Sequence, residues 1–341
     1  MRFPTGGSKR FLLAAVLAVA MVASACGGDD DNEGGNLTGS IFVSGSSTVE
    51  PISAFVAELF REQNPEIDIT VEGPGTGDGF ELFCRGDTDI SDASRPIDED
   101  EVAACEEAGI GYTELEVALD GISVLTSPDN ADVTCLNNGD LYALLGPESE
   151  GFGNWSDANE LAQEVGGTDD FPDAELVITA PGPESGTYDA FIELSGIPDI
   201  AEEQGLPEED LETTRRDYQA SANDNVIIDG IAGSPSSLGW VGFSFYEQNQ
   251  DVVKAIEIDG GEGCVAPSFD AIADGSYPLS RSLYIYVNNA KAEGNEALRA
   301  YVDFYVSDEG LRTAVEEVRY VPLPDDRIEA TRQAWEDATS A

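Results

Sequence analysis

Between residues 41 and 126 the chain alternates short β-branched runs with helix-like stretches. Residues 41–44, 68–72, 89–93, 112–119 and 122–126 read as strands, with helices at 53–63, 80–85 and 98–108 between them. This rhythm predicts an α/β unit with a central sheet, and in such folds ligands bind outside the carboxyl ends of the strands. The rhythm resumes later. Residues 138–145, 188–195, 224–232, 296–305 and 307–318 read as helices, and 176–180, 238–243, 253–258 and 282–287 as strands. A chain of 341 residues is too long for one ordinary domain and comfortable for two. A second lobe is expected to begin near Asp120, with residues 281–287 carrying the chain back to the first.

Residues 1–25 read as a leader. Arg2, Lys9 and Arg10 form a basic start, and an apolar run covers 11–22. That run is too short for a membrane span of about 20 residues. Ala23-Ser24-Ala25-Cys26 follows, and small residues before a cysteine resemble a bacterial lipobox. The resemblance implies cleavage before Cys26 and lipid on its thiol, so that the chain is exported and anchored to the outer face of the cell membrane. Ordinary secretory cleavage after Ala25 is the alternative. Residues 26–37 are rich in Gly, Asp and Asn and read as a tether.

Beyond Cys26, four cysteines remain: Cys84, Cys105, Cys135 and Cys264. An even number in an exported chain favours two disulfides. Three pairings are open. Closeness in sequence favours Cys84 with Cys105, which leaves Cys135 with Cys264. Zinc is disfavoured, since no Cys-x-x-Cys spacing and no histidine is present.

Acidic side chains number 68 against 16 basic ones, for a formal charge of −52. Such a field repels nucleic acid and anionic surfaces, so no nucleic-acid partner is expected. The absence of histidine also removes the usual base for a serine nucleophile. We therefore expect no enzyme, no metal and no cofactor.

Four loops carry hydroxyls and glycines ahead of helical patterns: residues 44–48, 75–79, 91–96 and 185–187. The first amides of a helix have no internal partner and sit at the positive end of its dipole, so such loops suit an anion. Each alone is equally an ordinary N-cap. Arg95, in a chain poor in cations, offers a planar fork that fits a tetrahedral oxyanion, and its loss is expected to cost at least about tenfold in affinity.

Ser44-Gly45-Ser46-Ser47-Thr48-Val49-Glu50-Pro51, Gly75-Thr76-Gly77-Asp78-Gly79-Phe80, Ala93-Ser94-Arg95-Pro96, Gly182-Pro183-Glu184-Ser185-Gly186-Thr187-Tyr188-Asp189 and Tyr277-Pro278-Leu279-Ser280-Arg281 occur in this order. Together they resemble the phosphate-binding proteins of Pst-type ABC importers. The resemblance covers nearly all of the chain after the tether. It implies an α/β, two-lobed type 2 periplasmic-binding-protein fold with a hinge of two crossover strands. Lobe I would comprise 38–119 and 281–341, and lobe II 120–280. The implied function is capture of inorganic phosphate between the lobes and delivery to ABC permease subunits. The implied ligands are Ser47, Thr48 through its amide, Thr76, Ser94, Arg95, Ser185, Gly186 and Thr187.

The chain departs from better-known members at two places. They have Asp where this chain has Arg95, and Arg four residues before the site serine, where this chain has Pro181. The departure bears on the ligand's proton. A site of donors alone suits sulfate, whereas a facing carboxylate accepts a hydrogen bond from hydrogen phosphate and repels sulfate. Asp92, Asp78 and Asp224 are the candidates for that acceptor. The alternative ligands are sulfate and molybdate or tungstate, and the alternative roles are an anion sensor or a hydrolase.

Overall fold

The computed structural model describes residues 37–168 and 170–340, so the leader, Cys26 and nearly all of the tether lie outside the described residues. Residues 36–341 form one compact unit. Its first part runs β1 (Gly39–Gly45), α1 (Glu50–Gln63), β2 (Ile67–Glu72), α2 (Thr76–Cys84), β3 (Ile90–Ala93), α3 (Glu99–Ala108) and β4 (Tyr112–Thr126). β1 pairs in parallel with β2 and β3, as short strands linked by crossover helices must. Ile41, Val43 and Ile90 point into a core covered by Ile52, Val56 and Phe60 of α1.

The middle of the chain contributes β5 (Cys135–Asn137), α4 (Asn138–Leu145), α5 (Asn159–Glu164), β6 (Val177–Ala180), α6 (Gly186–Ser195), α7 (Ile197–Glu203), α8 (Glu208–Leu211), β7 (Gln219–Ala220), α9 (Asp224–Ala232) and β8 (Ser237–Gly242). There follow α10 (Phe243–Glu247), β9 (Lys254–Ala255), β10 (Glu257–Asp259), β11 (Cys264–Val265) and α11 (Phe269–Ala273). The return path is β12 (Ser280–Asn288), α12 (Asn289–Gly294), α13 (Glu296–Tyr305), α14 (Thr313–Glu317) and α15 (Asp325–Ser340).

Two strands tie the halves together. β12 runs antiparallel to β3 at one edge and to β4 at the other, from Ser280↔Gly121 to Asn288↔Tyr112. Beyond that register β4 changes partner and pairs with β8, from Ile122↔Gly242 to Leu125↔Gly239. The result is a mixed α/β, two-lobed molecule whose sheet runs β2-β1-β3-β12-β4-β8-β6-β7 through both lobes. The cores divide along the same line. Val117, Ala118 and Leu283 pack with the α1 side, whereas Leu119, Ile122 and Leu279 pack with Trp155, Phe191 and Trp240.

Among the differences from the sequence reading, three bear on how the lobes are joined. Residues 112–119 and 122–126 form one continuous strand, because Asp120 in its middle is compensated by Arg281 across the ladder and need not break out to water. Residues 253–258 split into β9 and β10, which pair with β4 and β5 respectively. The C-terminal α15, absent from the sequence reading, straddles both cores. Its Ile328 packs with the second and its Trp335 with the first, and Thr331 Oγ1 donates to the Glu116 carbonyl at 2.8 Å.

The structure pairs Cys84 with Cys105, at a Cα separation of 4.3 Å, and Cys135 with Cys264, at 6.0 Å. The first bridge ties α2 to α3. The second closes a separation of 129 residues and staples β5 to β11 across β10.

Candidate functional site

At the carboxyl end of β1 the chain makes a turn that only glycine permits. Gly45 has φ +154°, and a Cβ there would stand 2.0 Å from the Asp92 carbonyl oxygen. The amide of Ser46 donates to that same carbonyl at 2.9 Å, which fixes the turn to β3. Gly79 of α2 rests on it as well, since a Cβ there would lie 2.4 Å from the Gly45 Cα. This close packing brings the first turns of α1 and α2 and the end of β3 to one place.

There Thr76 and Ser94 meet, Oγ1 to Oγ at 3.0 Å, and the Ser94 amide donates to Thr76 Oγ1 at 3.2 Å. Ser47, Thr76, Ser94 and Arg95 line a cavity of about 640 Å³. Its far wall is α6, through Tyr188, Asp189 and Glu193. Ser47 Oγ donates to Asp189 Oδ2 at 3.4 Å, and Ser94 Oγ donates to Glu193 Oε2 at 3.3 Å. Thr48 is buried; its amide is taken by Ser46 Oγ at 3.2 Å, so its hydroxyl is the group it offers.

The cation of this region is Arg281, at the start of β12. Its side chain is only 10 % exposed. Nη2 donates to Thr48 Oγ1 at 3.0 Å, Nη1 pairs with Glu193, and Nε lies 3.5 Å from Asp120 Oδ2. Burial pulls the guanidinium below its ordinary pKa, and Asp120 opposes that pull. Burial likewise pushes Asp120 up, against Arg281. Asp189 is raised by burial, with Ser47 and Arg281 acting the other way.

Gly186, Thr187 and Asp224 line a second cavity, of about 110 Å³, together with Asp120 and Arg319. The hydroxyls and the α6 amides thus open onto two cavities rather than one. The Asp120–Arg281 pair joins them, because its arginine lines the larger and its aspartate the smaller. Ser185 is the N-cap of α6, and its side chain accepts from the Thr187 amide at 3.2 Å.

Arg95 turns out of the cavity it borders. Its two Nη atoms bind the Glu101 carboxylate at 2.8 and 2.7 Å, and its guanidinium lies over the Phe80 ring at 5.7 Å. Glu101 belongs to the capping box of α3, so this arginine is committed to a helix end. Among the acceptor candidates, Asp78 is exposed, and Asp92 lies fully buried beneath α1, where Oδ1 accepts from Ser53 Oγ at 2.9 Å. Asp224 borders the smaller cavity, and burial raises its pKa. The carboxylates nearest the buried guanidinium are Asp120 and Glu193, with Asp189 close by. The sequence reading gave none of them a part in binding, and it placed Arg281 only at the end of a motif and the start of the return strand. No group of residues that could hold a metal ion occurs among the described residues.

The PBP superfamily domain matches residues 31–309. The chain is 38 % identical to the protein SphX of Synechocystis over 84 % of its own length and 79 % of the relative. It is 32 % identical to the phosphate-binding protein PstS of Staphylococcus epidermidis, over 91 % and 87 %. A crystal structure described as "a possible phosphate binding protein from Planctomyces limnophilus" superposes with a TM-score of 0.79 at 34 % identity, covering 89 % of this chain and 99 % of that one.

Proposed function

The chain belongs to the PBP superfamily, among the phosphate-binding proteins of Pst-type ABC importers, and from this we propose that it captures inorganic phosphate in its cleft and hands it to an ABC permease. The observation that carries the reading is the burial of Arg281 beside Thr48, with Ser47, Thr76 and Ser94 on the same cavity. A desolvated guanidinium on a cavity that hydroxyl donors also line is a receptor for a tetrahedral oxyanion. We assign the ligand contacts to Ser47, Thr48, Thr76 and Ser94 from one lobe. Ser185, Gly186 and Thr187 supply the other lobe at the α6 N-terminus, and Arg281 is the cation. Arg95 acts at the rim. The lobe boundaries at 119/120 and 280/281 remain our assignment; the change of core falls beside the first, between Ala118 and Leu119, and between Leu279 and Leu283 at the second, while Val321, Leu323 and Ile328 of the C-terminal segment pack with the second core.

The acceptor for the proton of hydrogen phosphate is assigned to Asp120. It is 2 % exposed, its Oδ2 makes no hydrogen bond within the described residues beyond the 3.5 Å ion pair with Arg281 Nε, and it borders the cavity reached by Gly186 and Thr187. The chemistry is capture and release without turnover. The negative field of the whole chain slows encounter but does not undo contacts made in a closed, desolvated cleft. Lipid on Cys26 would hold the protein at the outer membrane face, and incorporation of labelled fatty acid, lost in Cys26→Ser, tests that. Calorimetric titration of residues 36–341 with phosphate and with sulfate tests the ligand. Heat with sulfate and none with phosphate would overturn it.

A further inference from the structure

Asp189 and Glu193 stand four residues apart on α6 and therefore on one face of the helix. Two like charges at that spacing repel each other, so an isolated helix would not favour them there. Here each finds a donor on the opposite side of the cleft. Asp189 Oδ2 accepts from Ser47 Oγ at 3.4 Å, and Glu193 Oε2 accepts from Ser94 Oγ at 3.3 Å. Glu193 also pairs with Arg281 Nη1. Ser47, Ser94 and Arg281 are three of the donors assigned above to the oxyanion. Carboxylate and phosphate oxygens are equivalent acceptors for hydroxyl and guanidinium donors. The helix itself is anchored behind the pair: Phe191 stacks on Trp240 at 4.2 Å, and Phe191 and Ile192 are buried in the second core.

We propose that Asp189 and Glu193 are internal ligands of the anion site and set the threshold a solute must pass to bind. This rests on the phosphate reading. In the unliganded chain the two carboxylates hold Ser47, Ser94 and Arg281 and bridge the lobes. A bound oxyanion must displace them. The Glu193 side chain is 49 % exposed and can swing to water once its donors are taken. A monovalent anion such as acetate gains nothing by this exchange, because it replaces one carboxylate with another. A phosphate dianion fills several donors with one tetrahedron and brings more charge to the guanidinium. The pair is thus a specificity element as well as a clamp.

The test uses residues 36–341, which form a compact unit by themselves. Glu193→Gln and the double variant Asp189→Asn/Glu193→Gln are compared with the parent, and with Glu208→Gln as an exposed control on α8. The probes are inorganic phosphate and acetate in calorimetry, and small-angle scattering without ligand. Glu193→Gln is expected to bind phosphate roughly tenfold tighter. The ligand-free double variant is expected to show a larger radius of gyration and measurable acetate binding, with the control unchanged. Phosphate affinity equal to or weaker than the parent's would overturn the proposal, as would an unchanged radius of gyration in the double variant. If the parent gives no heat with phosphate, the transport reading fails, and the scattering comparison still decides whether these carboxylates clamp the lobes.

Discussion

Arg281 Nη2 donates to Thr48 Oγ1 across 3.0 Å, joining residues 233 positions apart. The contact sets the start of β12, which crosses between the lobes, against the turn that opens α1. Replacing Arg281 with Ala removes the cation and leaves Asp120 buried without its partner. Breaking such a pair costs about 3–5 kcal/mol. We expect Arg281→Ala to weaken phosphate binding by roughly a hundredfold or more and to lower the melting temperature. Arg281→Lys keeps the charge but loses the fork, and should recover stability more than affinity. In Arg95→Ala the lost partners are the exposed Asp98 and the partly buried Glu101 at the start of α3, away from the ligand, so affinity should change by less than about threefold. Titration calorimetry on the three variants checks the order. An Arg95 effect larger than that of Arg281 would return the cation's role to the third loop.

The proton on the ligand gives a second prediction. Asp120→Asn replaces an acceptor with a group that can donate, at a site 2 % exposed. Hydrogen phosphate loses its acceptor and sulfate loses its repulsion. The ratio of phosphate to sulfate affinity should fall by about tenfold or more. Competition of unlabelled sulfate against labelled phosphate reads the ratio directly. An unchanged ratio would mean that Asp120 serves only to balance Arg281.

These two residues also show what could be read in the sequence and what could not. The strand-to-helix turns at Ser47, Thr76 and Ser94 were legible because their signal is local: an apolar run, a glycine, hydroxyls, then a helical pattern. The α/β class followed from the same periodicities. Arg281 was not legible as the buried cation, since its partners lie 88 and 233 positions away. Its one local signal was scarcity, with only 16 basic residues in the chain. Asp120, Asp189 and Glu193 were hidden for the opposite reason. Among 68 acidic residues no single carboxylate stands out until the sheet and α6 place it. Arg95 misled because Pro96 and the strand end drew attention to it, while Glu101, six positions on, takes its fork.

The bridge Cys135–Cys264 closes a long loop within the second lobe, through two short strands of a three-stranded sheet. A small sheet has little ladder to lose, and most of its order must come from the cross-link and from Leu136 and Ile258 in the core. Cys135→Ala/Cys264→Ala is expected to lose about 2–5 kcal/mol of stability. Phosphate affinity should stay within about twofold, because none of these residues borders either cleft cavity. Urea unfolding and calorimetry on the same variant separate the two quantities.

Asp92 couples stability to pH. It is fully buried beneath α1, and its carboxyl is pushed up from 3.8 to about 8, chiefly by burial. The Ser53 hydroxyl acts against that rise and Glu50 adds to it, while Tyr301 and Tyr305 are neighbours held neutral by their own burial. Below 3.8 the group is protonated both folded and unfolded and contributes nothing. Between 3.8 and about 8 the unfolded chain has released the proton and the folded chain keeps it, so folding becomes less favourable as pH rises. Above about 8 both forms are ionised and the full cost stays constant. Asp92→Asn keeps an acceptor for Ser53 and has no proton to lose. Its stability relative to the parent should therefore grow by about 1.4 kcal/mol per pH unit through this window, or about 2–4 °C in melting temperature per unit. Parallel melting curves from pH 5 to pH 7 measure the slope. A constant difference between the two proteins would show that Asp92 ionises in the folded chain at an ordinary pKa, with charge tolerated under α1.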